Sequence, residues 1–148
     1  MTATSANASK NTLPGSIKVG DTIPPFQREG TLQHWNRYAG VNYEFAGHHM
    51  DDEIGRHEGF PSAIGMAPLI LAYLHAMLRN WGGEDARVVK VAMELRRPFL
   101  RGRTLIASGK VSGTREEDGE LLVDLEVWAD DDQGTRLVGG TAVMALAL

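Results

Sequence analysis

Met66-Ala67-Pro68-Leu69-Ile70-Leu71-Ala72-Tyr73-Leu74-His75-Ala76-Met77-Leu78-Arg79-Asn80-Trp81 is the most apolar run of the chain, and it reads as one helix. Met66, Leu69, Ile70, Tyr73, Leu74, Met77, Leu78 and Trp81 recur at i, i+3, i+4 and i+7 and mark one face. Ala67, Leu71, Ala72 and Ala76 make the other side nearly as apolar. A helix of this kind is expected to be buried on almost all sides. Pro68 has no backbone donor and fits only in a first turn, which sets the start near Gly65, and Gly82-Gly83 ends the helix. The apolar part, 69–78, is too short to cross a membrane.

Beyond this helix the period changes to two. Val89, Val91, Met93 and Leu95 alternate with Lys90, Ala92, Glu94 and Arg96, and 105–111 and 121–128 alternate likewise. Asp118-Gly119 and Gln133-Gly134 read as tight hairpin turns. The segment 135–148 is apolar on both faces after Leu137, as in a strand covered on two sides. An antiparallel meander of about four strands follows. Upstream, 16–26 is extended and carries Pro24-Pro25, which suits an edge strand. Thr31 caps a short helix through Tyr38 or Ala39, with Leu32 and Trp35 on its apolar face, and Gly40 stops it. One helix buried all round needs a curved sheet to wrap it. The expected fold is therefore α+β, a single hotdog: a curved antiparallel sheet around one long buried helix. One helix cannot close the sheet's edges, so a homodimer or higher oligomer is expected, formed by strand pairing or helix packing.

The chain of 148 residues suits one domain, 16–148, preceded by a polar tail, 1–15, expected to be flexible and not a signal peptide. A net charge of −4 argues against a nucleic-acid partner, and the absence of cysteine excludes disulfides and thiolate metal sites. With no membrane-spanning run, the expected place is the cytoplasm.

Chemistry concentrates in Glu44-Phe45-Ala46-Gly47-His48-His49-Met50-Asp51. A carboxylate and an imidazole five positions apart do not share a side of a regular helix or strand. A turning loop, made easier by Gly47, can bring them together for acid–base work. A loop salt bridge or two solvated side chains is the plainer reading. His48, next to His49, points elsewhere and is solvated or supporting. Asp51 is placed to N-cap a one- or two-turn helix over 52–57. His75 reads as a hydrogen-bonded core or interface residue. His48, His49, Asp51, Asp52 and His57 lack metal-ligand spacing and a clear third ligand, so no metal is expected. Arg96, Arg97, Arg101 and Arg103 form the densest basic stretch, either a phosphate landing site at a strand end or a solvated hairpin. Tyr73, Met77 and Trp81 line an acyl pocket or are plain core.

Arg37-Tyr38-Ala39-Gly40, followed by Glu44 to Asp51, resembles the signature of the MaoC-like (R)-specific enoyl-CoA hydratases and 3-hydroxyacyl-thioester dehydratases. There an acid and a histidine five residues apart lie in a loop after a short helix, usually as Asp-x-Asn-Pro-x-His-x-Asp. Gly65-Met66 resembles the family's His-Gly segment at the head of the central helix. Here Glu44 stands for Asp, Ala46 for Asn, Gly47 for Pro and Ile64 for His. The resemblance implies a lyase of fatty-acid or related acyl metabolism that adds or removes water across an enoyl thioester. Glu44 would handle the proton and His49 orient and activate the water. The Gly65 N–H would meet the thioester oxyanion, Asp51 and Gly47 would support the loop, and the four arginines would bind coenzyme A phosphates. It implies no cofactor, acyl-CoA being the substrate. Two other readings stand beside it. A hotdog thioesterase commonly uses a carboxylate on or beside the central helix, and 66–81 has none, which counts against that reading. A non-catalytic acyl-CoA-binding subunit could complete a heteromer with a related hotdog subunit.

Overall fold

Helix α3 (Ala67–Gly82) packs against one five-stranded antiparallel sheet in the computed structural model, which describes residues 14–148. The tail expected over 1–15 falls outside the described residues except for its end, where Pro14–Ser16 forms a 3-10 turn. The strands are β1 (Thr22–Glu29), β2 (Arg87–Leu95), β3 (Thr104–Glu117), β4 (Glu120–Asp131) and β5 (Arg136–Ala147). Two shorter helices, α1 (Leu32–Asn42) and α2 (Asp52–His57), precede α3. This is the expected α+β hotdog fold. Pro68 lies in the first turn of α3, and Gly83 ends the helix at φ 83°. Leu69, Ile70, Leu74, Met77 and Leu78 are buried against the inward residues of the sheet, among them Leu105, Val111, Leu125, Val127 and Met144. Each such side chain contributes about 1.5–3 kcal/mol of burial.

The helix is not buried all round. Pro68, Ala72, His75 and Arg79 are exposed, because the sheet covers one side only. His75 is thus a surface residue of the single chain and not part of its core.

The sheet order is β1-β3-β4-β5-β2, so only β3, β4 and β5 form a hairpin-linked meander. The fourth expected member, β2, leaves its sequence neighbour and pairs with β5 at the far edge. Residues 96–103 are therefore a crossover and not a hairpin. β1, with Pro24-Pro25 at a register shift between Ile23 and Phe26, forms the opposite edge. β3 runs past the sequence periodicity to Glu117, because a bulge between Val111 and Gly113 breaks the alternation without ending the strand. Asp118-Gly119 is a two-residue turn with both φ positive, at 51° and 81°. The β4–β5 connection is longer than expected: it spans 132–135, and the buried Asp131 carboxylate accepts the Gln133 and Thr135 N–H groups, both at 2.9 Å. In β5, Val138, Ala142, Met144 and Leu146 are buried inward, while the outer face is covered only in part, Thr141 being exposed.

Helix α1 is capped by Thr31, as expected, but runs through Gly40 to Asn42. Glycine weakens a helix interior without breaking it. The stop comes at Tyr43, at φ 56°, where the Tyr43 and Glu44 N–H groups both close on the Ala39 carbonyl.

Candidate functional site

The loop after α1 delivers Glu44, then tightens into a 3-10 turn, Gly47–His49. The Gly47 carbonyl accepts the Met50 and Asp51 N–H groups at 2.9 and 3.0 Å. A Cβ at Gly47 would lie 3.0 Å from two atoms of Ile54, so glycine here admits α2 against the loop. Asp51 caps α2 as expected, its Oδ1 accepting from the Glu53 and Ile54 N–H groups at 2.7 and 3.0 Å.

The residues ahead of α3 thread between this loop and the 96–103 crossover. Their approach depends on Gly55, where a Cβ would lie 2.3 Å from the Ser62 carbonyl oxygen. Asp52 Oδ1 accepts the Ala63 N–H at 3.0 Å, and its Oδ2 accepts Arg101 Nη1 at 2.6 Å. The Arg101 N–H reaches the Ala63 carbonyl at 3.1 Å, and Ile64 forms an antiparallel bridge with Leu100. These contacts hold the Asp52 carboxyl below the usual aspartate range, chiefly through the Ala63 N–H and then through Arg101.

Ile64 fixes the histidine. Its N–H donates to the His48 carbonyl at 2.9 Å, and its own carbonyl lies 2.8 Å from His49 Nδ1. A carbonyl only accepts, so Nδ1 carries the proton of the neutral ring. Nε2 is left as an acceptor, facing Glu44 Oε1 at 3.6 Å. Two acceptors at that separation can each take one O–H of a single water. His48 does point away: its Nδ1 pairs with Glu58 at 2.6 Å, and its ring meets the His49 ring edge-on at 4.2 Å. The Tyr38 hydroxyl is held above its ordinary pKa, first by burial and then by the charge of Glu44.

Glu44 and His49 line a cavity of about 390 Å³, with Phe60, Ile64, Ile70, Leu95, Pro98 and Phe99 as its apolar wall. Arg96 and Arg97 also line it. The other two arginines do not. Arg101 is committed to Asp52, and Arg103 lies 4.0 Å from Asp132. Tyr73, Met77 and Trp81 are absent from the lining too. Tyr73 packs against Phe26, Met77 is core, and Trp81 rests on the core half-buried. Gly65 lines the cavity, but its N–H is not the free donor expected, because it donates to the Phe99 carbonyl at 2.7 Å. A buried N–H must be paired, and the crossover supplies the partner. Ala67, the first residue of α3, also lines the cavity, and helix geometry leaves its N–H without an acceptor in the helix. Among the described residues no group of three or more His, Asp or Glu side chains could hold a metal ion. No helix among them is long and apolar enough to cross a membrane. Sequence reasoning missed Asp52, Ser62 and the Ile64 carbonyl as parts of the site, and no local pattern marks them.

No family model and no curated protein matches the chain. Solved structures do. An (R)-hydratase from A. caviae involved in PHA biosynthesis superposes with a TM-score of 0.81 at 19% identity, over 88% of this chain and 98% of its own. A MaoC-like dehydratase from Rhodospirillum rubrum gives 0.77 at 16% identity, over 90% and 94%. A chain of the ChsH1-ChsH2 complex from Mycobacterium tuberculosis gives 0.77 at 19% identity, over 87% and 98%. The chain has the hotdog fold of the MaoC-like dehydratases and (R)-hydratases.

Proposed function

We propose that the chain is a hydratase or dehydratase of enoyl thioesters, with acyl-CoA as substrate. The observation that carries this reading is the His49–Glu44 pair, two proton acceptors 3.6 Å apart on an apolar cavity. In the hydration direction one water donates to His49 Nε2 and to the Glu44 carboxylate. Its oxygen bonds to the β-carbon as the double bond opens, Glu44 takes one proton, and that proton passes to the α-carbon. One water is consumed and both catalytic groups return to their starting state, so the reaction balances without a cofactor. Charge developing on the thioester oxygen meets the positive end of α3, where Ala67 lines the cavity. The Gly65 N–H contributes only if it leaves the Phe99 carbonyl. Arg96 and Arg97 line the same cavity and are the cations placed to meet coenzyme A phosphates. The same reading assigns the chain to the cytoplasm, as one compartment that holds acyl-CoA.

Two features support a homodimer. Among the described residues β2 pairs on one side only, and the exposed flank of α3 has no cover.

The test is hydration of enoyl-CoAs of several chain lengths by the purified chain and by Glu44→Gln. Loss of the enoyl absorbance with wild type, nearly abolished in the variant, is expected. Equal rates for the two proteins would overturn the role of Glu44.

A second reading has its own support: one of the similar folds comes from the two-component ChsH1-ChsH2 complex, and Ala46 and Gly47 depart from the hydratase signature. In it the chain is a non-catalytic acyl-CoA-binding subunit of a heteromer. Hydration by the purified chain alone would exclude that.

A further inference from the structure

We propose that Arg101 and Asp52 are positioning residues for His49, which removes Arg101 from the group that binds coenzyme A. The inference rests on the hydratase reading above and deepens it.

The argument follows the hydrogen bonds outward from the imidazole. His49 takes its tautomer from the Ile64 carbonyl at 2.8 Å. That carbonyl lies outside the named helices and strands, and its own peptide unit is held by the isolated bridge to Leu100, in which the Gly65 N–H donates to the Phe99 carbonyl at 2.7 Å. The residue before it is gripped on both sides of its backbone. The Ala63 N–H donates to Asp52 Oδ1 at 3.0 Å, and the Ala63 carbonyl accepts the Arg101 N–H at 3.1 Å. Ser62 Oγ adds bonds to both partners, donating to the Ala63 carbonyl at 2.8 Å and accepting the Arg101 N–H at 3.3 Å. The Asp52–Arg101 ion pair at 2.6 Å then closes the ring between α2 and the crossover. Exposed ion pairs contribute little to stability. This one spans 49 positions of sequence and clamps the backbone of Ala63, the neighbour of the Ile64 carbonyl that meets His49 Nδ1. Its effect is geometric: it sets where Nε2 points relative to Glu44.

Arg101 has no second role to spare. Its guanidinium is engaged by Asp52, and the residue does not line the cavity that Arg96 and Arg97 share.

The test uses Asp52→Ala, Asp52→Asn, Arg101→Met, Arg101→Lys and the double variant Asp52→Ala with Arg101→Met. Nitrogen-15 NMR of the His49 ring reads the tautomer without substrate. Wild type and Arg101→Lys should hold the proton on Nδ1, and Asp52→Ala and Arg101→Met should move toward the mixture of a free imidazole. In steady-state kinetics the same two variants should lose kcat by about ten- to a hundredfold with KM within about twofold. The double variant should be no worse than either single one, since both cut one ring of bonds. Asp52→Asn keeps an acceptor for Ala63 and loses only the ion pair, so it should fall between wild type and Asp52→Ala and serves if the latter does not fold. An unchanged His49 tautomer in Asp52→Ala and Asp52→Asn would overturn the proposal. So would a KM increase for Arg101→Met that appears with CoA thioesters and vanishes with pantetheine thioesters, for that marks a phosphate contact. If wild type hydrates no enoyl thioester, the hydratase reading fails, and the NMR comparison still decides the coupling.

Discussion

The two walls that carry the acid–base pair are built differently. His49 is set in place from behind: its side chain is 8% exposed, its Nδ1 is bonded, and the segment that bonds it is itself bonded on both flanks. Glu44 sits in front, on a loop, with its side chain 31% exposed between two exposed aromatic rings, Tyr43 and Phe45. The contrast teaches a division of labour. A group that orients water needs a fixed direction, and burial with paired neighbours supplies it. A group that carries a proton from one atom to another needs room to turn, and a half-exposed carboxylate has it.

The contrast can be broken at its widest point. Glu44→Gln should lower the hydration rate by about 10²–10⁴-fold while thermal stability stays within about 0.5 kcal/mol of wild type, because the residue is half-exposed and unclamped. His49→Ala should reduce the rate and also cost about 1–3 kcal/mol, since it removes a buried side chain and the partner of the Ile64 carbonyl. Rate assays paired with thermal melts would show the asymmetry, and equal stability losses for the two variants would refute it. Gly65→Ala attacks the fixed wall by crowding: its Cβ would lie 2.8 Å from Phe99 and 3.3 Å from Trp35. It should cost about 1–3 kcal/mol, read as a lower midpoint in urea.

A pH titration sharpens the same wall. The Asp52 carboxyl titrates below its ordinary range in the folded chain. Its contribution to stability is therefore complete above the pH where free aspartate titrates, about 4, and is lost as pH falls through the lower folded value. Wild type should lose more stability than Asp52→Asn across that acid window, and parallel curves would count against the clamp. The smallest effect belongs to the exposed wall. Tyr43 adopts φ 56°, which glycine tolerates better, so Tyr43→Gly should raise stability by up to about 1 kcal/mol in a denaturant titration.

The sequence made the long helix, the edge strand with Pro24-Pro25, the Asp51 cap and the Glu44–His49 pairing legible, because each is written in local spacing or local chemistry. It did not show that β2 crosses to the far edge, since alternation tells which face a residue takes and not which strand lies beside it. The same gap hid the places of Arg101 and Arg103, while Arg96 and Arg97 do line the cavity. As a hairpin, 96–103 would offer its cations to solvent together; as a crossover it turns Arg101 toward Asp52 and buries Phe99 over Gly65. The Gly65 N–H was misread for a related reason. A glycine before a helix has an open donor only if nothing passes within reach, and the crossover does.

That crossover also imposes an order on assembly. β2 is made before β3 and β4, yet its sheet partner among the described residues is β5, which comes some fifty positions later. A chain emerging from the ribosome can zip β3 onto β4 early, while β2 waits beside α3 with its backbone groups satisfied by water. Closing so long a loop slows folding. The wall behind His49 depends on the same segment, so the site cannot be completed until the last strand has docked.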